Sequence, residues 1–336
     1  MTLTIENKSP SISDLPDNYL INIDHFSAIT ISGQDKGSYL QGQVTCDVNQ
    51  LNNNLLIGAH CDAKGKMFSI FRLFERNNAH WLLQPKSTLK ASLAALQKFG
   101  VFAKVEIQHN ESSKIYALIG SKAAQYLKQQ FKQIPDSMTP VVQCNNTTLI
   151  YIACATEKTT NTQTAIYLII DEINALEQII AQFLLPIFKH ELWNFHEINH
   201  GFPLMSEASI GEYVPQMLNV QAIHGISFTK GCYLGQETVA RMQYLGKNKR
   251  AMFSLVGENK TALNDDSIIE MQLGENWRRA GKVLSYYQAD DGNFYLQTIL
   301  ASDIKSDNKL RIKLADDLYA PLTFEPLPYD IICKDV

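Results

Sequence analysis

From Tyr19 to Ile31 (YLINIDHFSAITI) apolar and polar residues alternate as strand material does, and Gly33 then leads into QDKGSYLQGQ, where Tyr39, Leu40 and Val44 suit one helix face. Two strand-like runs follow, Leu55 to Cys61 and Lys66 to Phe74, joined by Asp62-Ala63-Lys64-Gly65, and a third, Ala79 to Gln84, follows the Asn77-Asn78 turn signal. Ser87 is placed to cap a helix running to Phe99, with Leu89, Leu93 and Leu96 at helical spacing, and Val101 to Ile107 returns to strand character. Between 114 and 185 the order repeats as strand (IYALIG), helix (SKAAQYLKQQF), strands (TTLIYIACA, AIYLII) and helix (EINALEQIIAQF). From Met252 the texture changes to short runs, among them FSLVG, IIEMQL, KVLSYY, FYLQTIL and KLRIKL, separated by Gly, Asn and Asp. The pattern predicts an α+β protein: two units of split βαβ type, then a small β-barrel.

Composition narrows the function classes. The chain has 336 residues, 45% hydrophobic and 19% charged, which is globular, and the length suggests two or three domains. Lys+Arg 30 against Asp+Glu 34 leaves a net charge of −4, so there is no global positive field for a duplex and direct nucleic-acid contact is not expected. The start, MTLTIENKSP, lacks a secretory pattern and no apolar run reaches a membrane span of about 18 residues, so the expected location is cytoplasmic, with no membrane partner. The six cysteines form no CxxC pair, and reduced thiols without a dedicated metal site are expected.

Three stretches carry candidate chemistry. His196-Glu197-Ile198-Asn199-His200 is a literal HExxH, which on a helix offers two imidazoles to Zn²⁺ and a carboxylate to the metal water. Gly201-Phe202-Pro203 stops that helix at once, and a third ligand would have to come from Glu207 or Glu237, so a surface pair of histidines at a helix end is the competing reading. In the second stretch, Gly231 and Gly235 bracket Cys232 just before a helix from near Gln236 to Gly246. Lys230 and the positive helix end both favour thiolate; the alternative is a small buried hydrophobe in a glycine turn. Third, Arg241, Lys247, Lys249 and Arg250 lie close in sequence to Tyr233 and Tyr244, a combination that grips flat anionic ligands or else forms a solvated face.

The run Lys230-Gly231-Cys232-Tyr233-Leu234-Gly235-Gln236-Glu237, continuing through Val239-Ala240-Arg241 to Tyr244-Leu245-Gly246 and Lys249-Arg250, resembles the signature of the YgfZ folate-binding proteins, relatives of the glycine-cleavage T-protein aminomethyltransferases. The likeness extends to Leu40-Gln41-Gly42-Gln43-Val44-Thr45-Cys46-Asp47, to His60 through Met67, and to Gly201-Phe202-Pro203 with Val214-Pro215-Gln216. It implies an aminomethyltransferase-like cloverleaf around a central channel. The implied division is a first α+β folate-binding subdomain, 1–110, interleaved with a second, 111–249, that carries the KGCYLGQE motif, and a C-terminal β-barrel, 250–336.

It also implies tetrahydrofolate or a one-carbon derivative in the channel, Cys232 as the working thiol, and a role in assembly or repair of iron–sulfur enzymes that indirectly supports tRNA methylthiolation. Partners would be folate and iron–sulfur enzymes or their assembly factors. On this view the folate-side residues are Asn199, Glu197, Lys230, Tyr233, Gln236, Glu237, Arg241, Tyr244, Lys247 and Arg250. Arg241, Lys247 and Arg250 would take the glutamate tail or a partner, and Gln236 and Glu237 would order the cysteine turn. Two departures stand out. Where the aminomethyltransferases carry a catalytic acid this chain has Phe68 or Ser69, and where relatives hold the pterin edge with an acid it has Asn199 and His200, with Glu197 nearby. The missing acid weighs against a tetrahydrofolate-dependent aminomethyl- or methyltransferase, the alternative to the accessory role; a zinc peptidase rests on HExxH alone.

Overall fold

A computed structural model describes residues 3–152, 164–244, 246, 248–264 and 267–331. The run from Tyr19 to Ile31 is not one strand. It breaks at a turn after Asn22, because its two halves belong to different sheets: Phe26–Ser32 enters a five-stranded antiparallel sheet in the order Leu56–Cys61, Met67–Arg76, Ala79–Pro85, Phe26–Ser32, Glu106–Asn110. Asn18–Asn22 enters a seven-stranded sheet in the order Ile5–Glu6, Ile187–Phe188, Asn18–Asn22, Ser113–Gly120, Ala165–Glu172, Thr147–Ile152, Val141–Cys144. A strand from the first part of the chain thus lies inside the sheet built mainly by the second.

Period-two alternation assigns the faces. On Ser113–Gly120, Tyr116 and Leu118 face helices Ala123–Gln130 and Ile173–Gln182 through Leu127, Leu176 and Ile180. Ile115, Ala117 and Ile119 face the other way, into a core shared with Phe26, Phe74, Trp81 and Leu83 of the first sheet and with Leu192 and Trp193 of helix Glu191–Asn199. Burial on both faces is why these strands read as continuous apolar runs. The outer face of the first sheet is covered by helix Lys86–Phe99, whose Leu89, Leu93 and Leu96 pack on Ile29, Ile31, Leu73 and Leu82. Ser87 does not cap that helix: it lies inside the first turn and its hydroxyl donates to Met205 O at 3.3 Å. The stretch expected as strand from Val101 begins instead as a 3₁₀ turn, Gly100–Phe102, with the strand starting at Glu106.

The C-terminal part is a closed six-stranded barrel: Arg250–Glu258, Asn293–Ala301, Asn276–Gln288, Ile268–Leu273, Leu310–Ala315, Leu318–Glu325. Closure removes the exposed edges that short strands would otherwise present. Its interior is filled by Leu255, Ile269, Phe294, Leu296, Leu300, Ile312 and Leu322, and Gly257 makes room for the Phe294 ring, which would stand 2.5 Å from an added Cβ. Met252, Leu284 and Ile299 of the barrel join Phe202, Met205, Tyr213, Leu218 and Ile226 with Ala59, Cys61 and Met67 of the first sheet. That junction underlies the cysteine loop. Among the described residues no helix is long and apolar enough to cross a membrane.

Candidate functional site

Three motif blocks far apart in the chain meet around Cys232. Loop 41–46 is fixed first: Gln41 accepts from Val48 N at 2.7 Å and donates to Asp47 at 2.8 Å, while Thr45 donates to Gly225 O at 2.6 Å and accepts from Ala59 N at 2.8 Å. Against it lies the 227–235 loop, through Ser227 N to Thr45 O at 2.9 Å and Leu234 N to Gly42 O at 3.1 Å. Lys230 locks the two together. Its ammonium donates to the carbonyls of Gln41, Val44 and Cys46 at 2.7, 2.8 and 2.7 Å, and stands 5.1 Å from the Tyr233 ring centre. Burial lowers its pKa to about 8, opposed by the neighbouring Cys46 and Asp47.

The third block is the turn after His60. Asp62 accepts from Lys64 N and Lys66 N, both at 2.8 Å, which shapes a tight turn with Gly65 at φ +74°. Gly235, at φ +84°, rests on it so closely that an added Cβ would lie 2.5 Å from Asp62 O. Helix Gln236–Tyr244 starts from this contact, and Gln216 donates to its Val239 O at 2.6 Å. The outcome is an exposed Cys232 on a loop held from both sides. Buried Cys46 is the contrast, its thiol pushed up to about 12 by desolvation.

The expected site residues do not converge on one ligand. Lys230, expected to hold the thiol as thiolate, spends its ammonium in the carbonyl cage, and Tyr233 is buried beneath the loop. Gln236 is half-buried, Glu237 and Arg241 are exposed and pair with each other at 3.9 Å, and Tyr244 and Arg250 lie on the surface. Lys247 lies outside the described residues.

Helix Glu191–Asn199 ends in a Schellman arrangement, Phe202 N to Glu197 O at 2.9 Å and Gly201 N to Ile198 O at 3.0 Å, with Gly201 at φ +64°. Tyr329 packs on that glycine and donates to its carbonyl at 2.7 Å. Positions two apart on a helix face different ways, so Glu197 is buried and Asn199 exposed; they cannot hold one pterin edge together.

Glu197 is gripped by Arg72 through two bonds, 2.6 and 2.7 Å, and the guanidinium stacks 3.9 Å from the Phe202 ring centre. His196 shares a hydrogen bond with Tyr19 OH at 2.8 Å and is held neutral, its pKa lowered by burial to about 3. The HExxH reading fails on this geometry, because one histidine serves the core and the glutamate cannot act as base while bound to Arg72. Ser69, where a catalytic acid was looked for, is sealed with its hydroxyl on Ser92 at 3.3 Å, and Phe68 stacks on His60.

Sequence reasoning passed over Arg72 and Tyr329. The first had a signal, since an arginine flanked by apolar residues within a strand, Ile70-Phe71 before it and Leu73-Phe74 after, calls for a buried acid. The second had none, for Tyr329 lies in an irregular stretch after the last strand.

Comparison with known proteins decides the family. The chain is 50% identical over 335 residues, 99% of its length and 100% of the relative's, to the tRNA-modifying protein YgfZ of Colwellia psychrerythraea (strain 34H / ATCC BAA-681). It belongs to the YgfZ family. The YgfZ of Yersinia pestis (strain Pestoides F) is 37% identical over 93% of this chain and 92% of its own. The family model for the YgfZ β-barrel domain matches residues 248–317, within the closed barrel. Among solved structures, the glycine cleavage system aminomethyltransferase T from Bartonella henselae superimposes with a TM-score of 0.71 at 12% identity, covering 94% of this chain and 87% of that one, a likeness of fold. The motif blocks are thus, physically, the parts by which this YgfZ-family chain builds its cysteine loop.

Proposed function

We propose that the protein is a folate-binding accessory factor that supports tRNA modification by sustaining iron–sulfur enzymes in the cytoplasm, with Cys232 as its functional thiol. One observation carries the reading: the fold commits a buried lysine, two glycines in contact and three separate motif blocks to holding one exposed cysteine. A purely structural cysteine would be inside the junction core, as Cys61 is. The relatives' name, tRNA-modifying protein, supplies the process.

Folate is the finer part of the proposal, supported by the shared fold. A pterin's amino-pyrimidine edge presents two adjacent donors, the same demand a guanidinium makes. Glu197 is the group that would meet it, but Arg72 takes both oxygens. As the side chains stand, the acceptor does not fit a pterin, and no chemical step is assigned to the cofactor. A one-carbon transferase is less well supported, since Ser69 supplies no carboxylate where iminium stabilisation would need it.

Titration with tetrahydrofolate tests the cofactor. Saturable binding at about 1 μM, roughly 8 kcal/mol, is expected, weakened in Arg241→Ala, which removes an exposed cation offered to the glutamate tail. A flat titration would remove folate from the proposal. In cells lacking the native protein, Cys232→Ser should be folded and abundant yet fail to restore methylthiolated tRNA; full restoration would remove the thiol.

A further inference from the structure

The turn that carries the chain from one sheet to the other holds Asp24 and His25, and His190 stands beside it at the start of helix Glu191–Asn199. One ligand atom from each of these residues lies within 4.8 Å of the others. His190 Nδ1 is 2.6 Å from Asp24 Oδ1, and the two imidazoles overlap with ring centres 4.5 Å apart and planes at 30°. Neither His25 nitrogen has a hydrogen bond of good geometry and both are shut off from water; the Asn194 side chain is the one that interacts with the ring. Glu191 stands close by: its Oε2 accepts no hydrogen bond and is 4.0 Å from His190 Nδ1, while its Oε1 is 3.8 Å from Lys189 Nζ.

Apolar packing gains nothing from leaving two ring nitrogens and a carboxylate oxygen unsatisfied in one place. An ion pair between His190 and Asp24 explains those two residues, and Lys189, 3.8 Å from Glu191 Oε1, answers the glutamate, but neither explains His25. A divalent cation does. We infer that Asp24, His25 and His190, with Glu191 in reach, form a binding site for one zinc-class divalent ion, unrelated to the HExxH pair and independent of the folate reading. Two imidazoles and a carboxylate suit Zn²⁺, and two carboxylates balance its charge. On binding, the neutral His190 ring carries its proton on Nε2 and gives the Nδ1 lone pair to the metal, and Asp24 turns its carboxylate oxygen to the ion; nothing is oxidised or reduced. Asp24 is 57% exposed, which leaves an entry path and room for a water ligand. The ion would tie the crossover between sheets to the helix that carries His196 and Glu197.

The test is equilibrium dialysis of the purified full chain against buffered Zn²⁺, with metal analysis. It is made on a Cys232→Ser background so that the exposed thiol does not contribute. One Zn²⁺ per chain is expected, at least about tenfold weaker in Asp24→Asn and lost in His190→Gln. His196→Gln should keep its zinc. Because Asp24→Asn alters only an exposed carboxylate, its result stands even if a histidine variant misfolds. No bound zinc, or zinc retained undiminished in Asp24→Asn and His190→Gln, would overturn the assignment.

Discussion

Replacing Lys230 by methionine keeps the side chain's volume but leaves the carbonyls of Gln41, Val44 and Cys46 without their common donor. We expect a loss of about 2 to 4 kcal/mol in urea unfolding, and no rescue by arginine, whose planar fork cannot serve three converging acceptors. Cys232 itself should be the first described cysteine to react with iodoacetamide under native conditions, with Cys46 and Cys61 protected until the protein unfolds, as read by mass spectrometry of labelled peptides. That Cys232 sits on a glycine-framed turn was legible in the sequence. The direction of Lys230 was not, because adjacency along an irregular loop says nothing about where a side chain finds its acceptors, and these come from residues 41 to 46.

Helix Glu191–Asn199 is positioned by one buried ion pair and by the glycine that ends it. Arg72→Met strands the Glu197 carboxylate, 1% exposed, and should cost about 3 to 5 kcal/mol; adding Glu197→Leu should recover most of the loss. Equal stability of the single and double variants would show that the pair is not coupled. Spacing revealed the helix over Lys86–Phe99 and the stop at Gly201. It did not reveal that Tyr19 to Ile31 is two strands, since alternation continues through the turn and only the pairing partners differ.

Across the whole molecule the buried histidines make stability depend on acid. His25, His60 and His196 have pKa values lowered from 6.5 to about 3, in each case mainly by burial. Unfolded, they bind protons below pH 6.5 and the fold does not, so their contribution is complete above that pH and is lost as pH falls toward 3. Unfolding free energy should drop by roughly 4 kcal/mol per pH unit near pH 5 from these groups together, and by about a third less in His60→Gln. Denaturation midpoints between pH 7.5 and 5, conditions of about that range, check the slope. The interleaved sheets lead to another expectation. Asn18–Asn22 pairs with strands contributed by Ile187–Phe188 and Ser113–Gly120, so a fragment of residues 1–110 should show no cooperative unfolding by circular dichroism. Hydrophobic periodicity announced strands and a barrel but not this threading, which only the family resemblance implied, because periodicity identifies faces and not neighbours.

A primary amine encircled by main-chain oxygens works like a potassium ion tethered to the chain it coordinates. The loop that bears the sulfur is therefore rigid before any visitor arrives, with its thiol held at the surface.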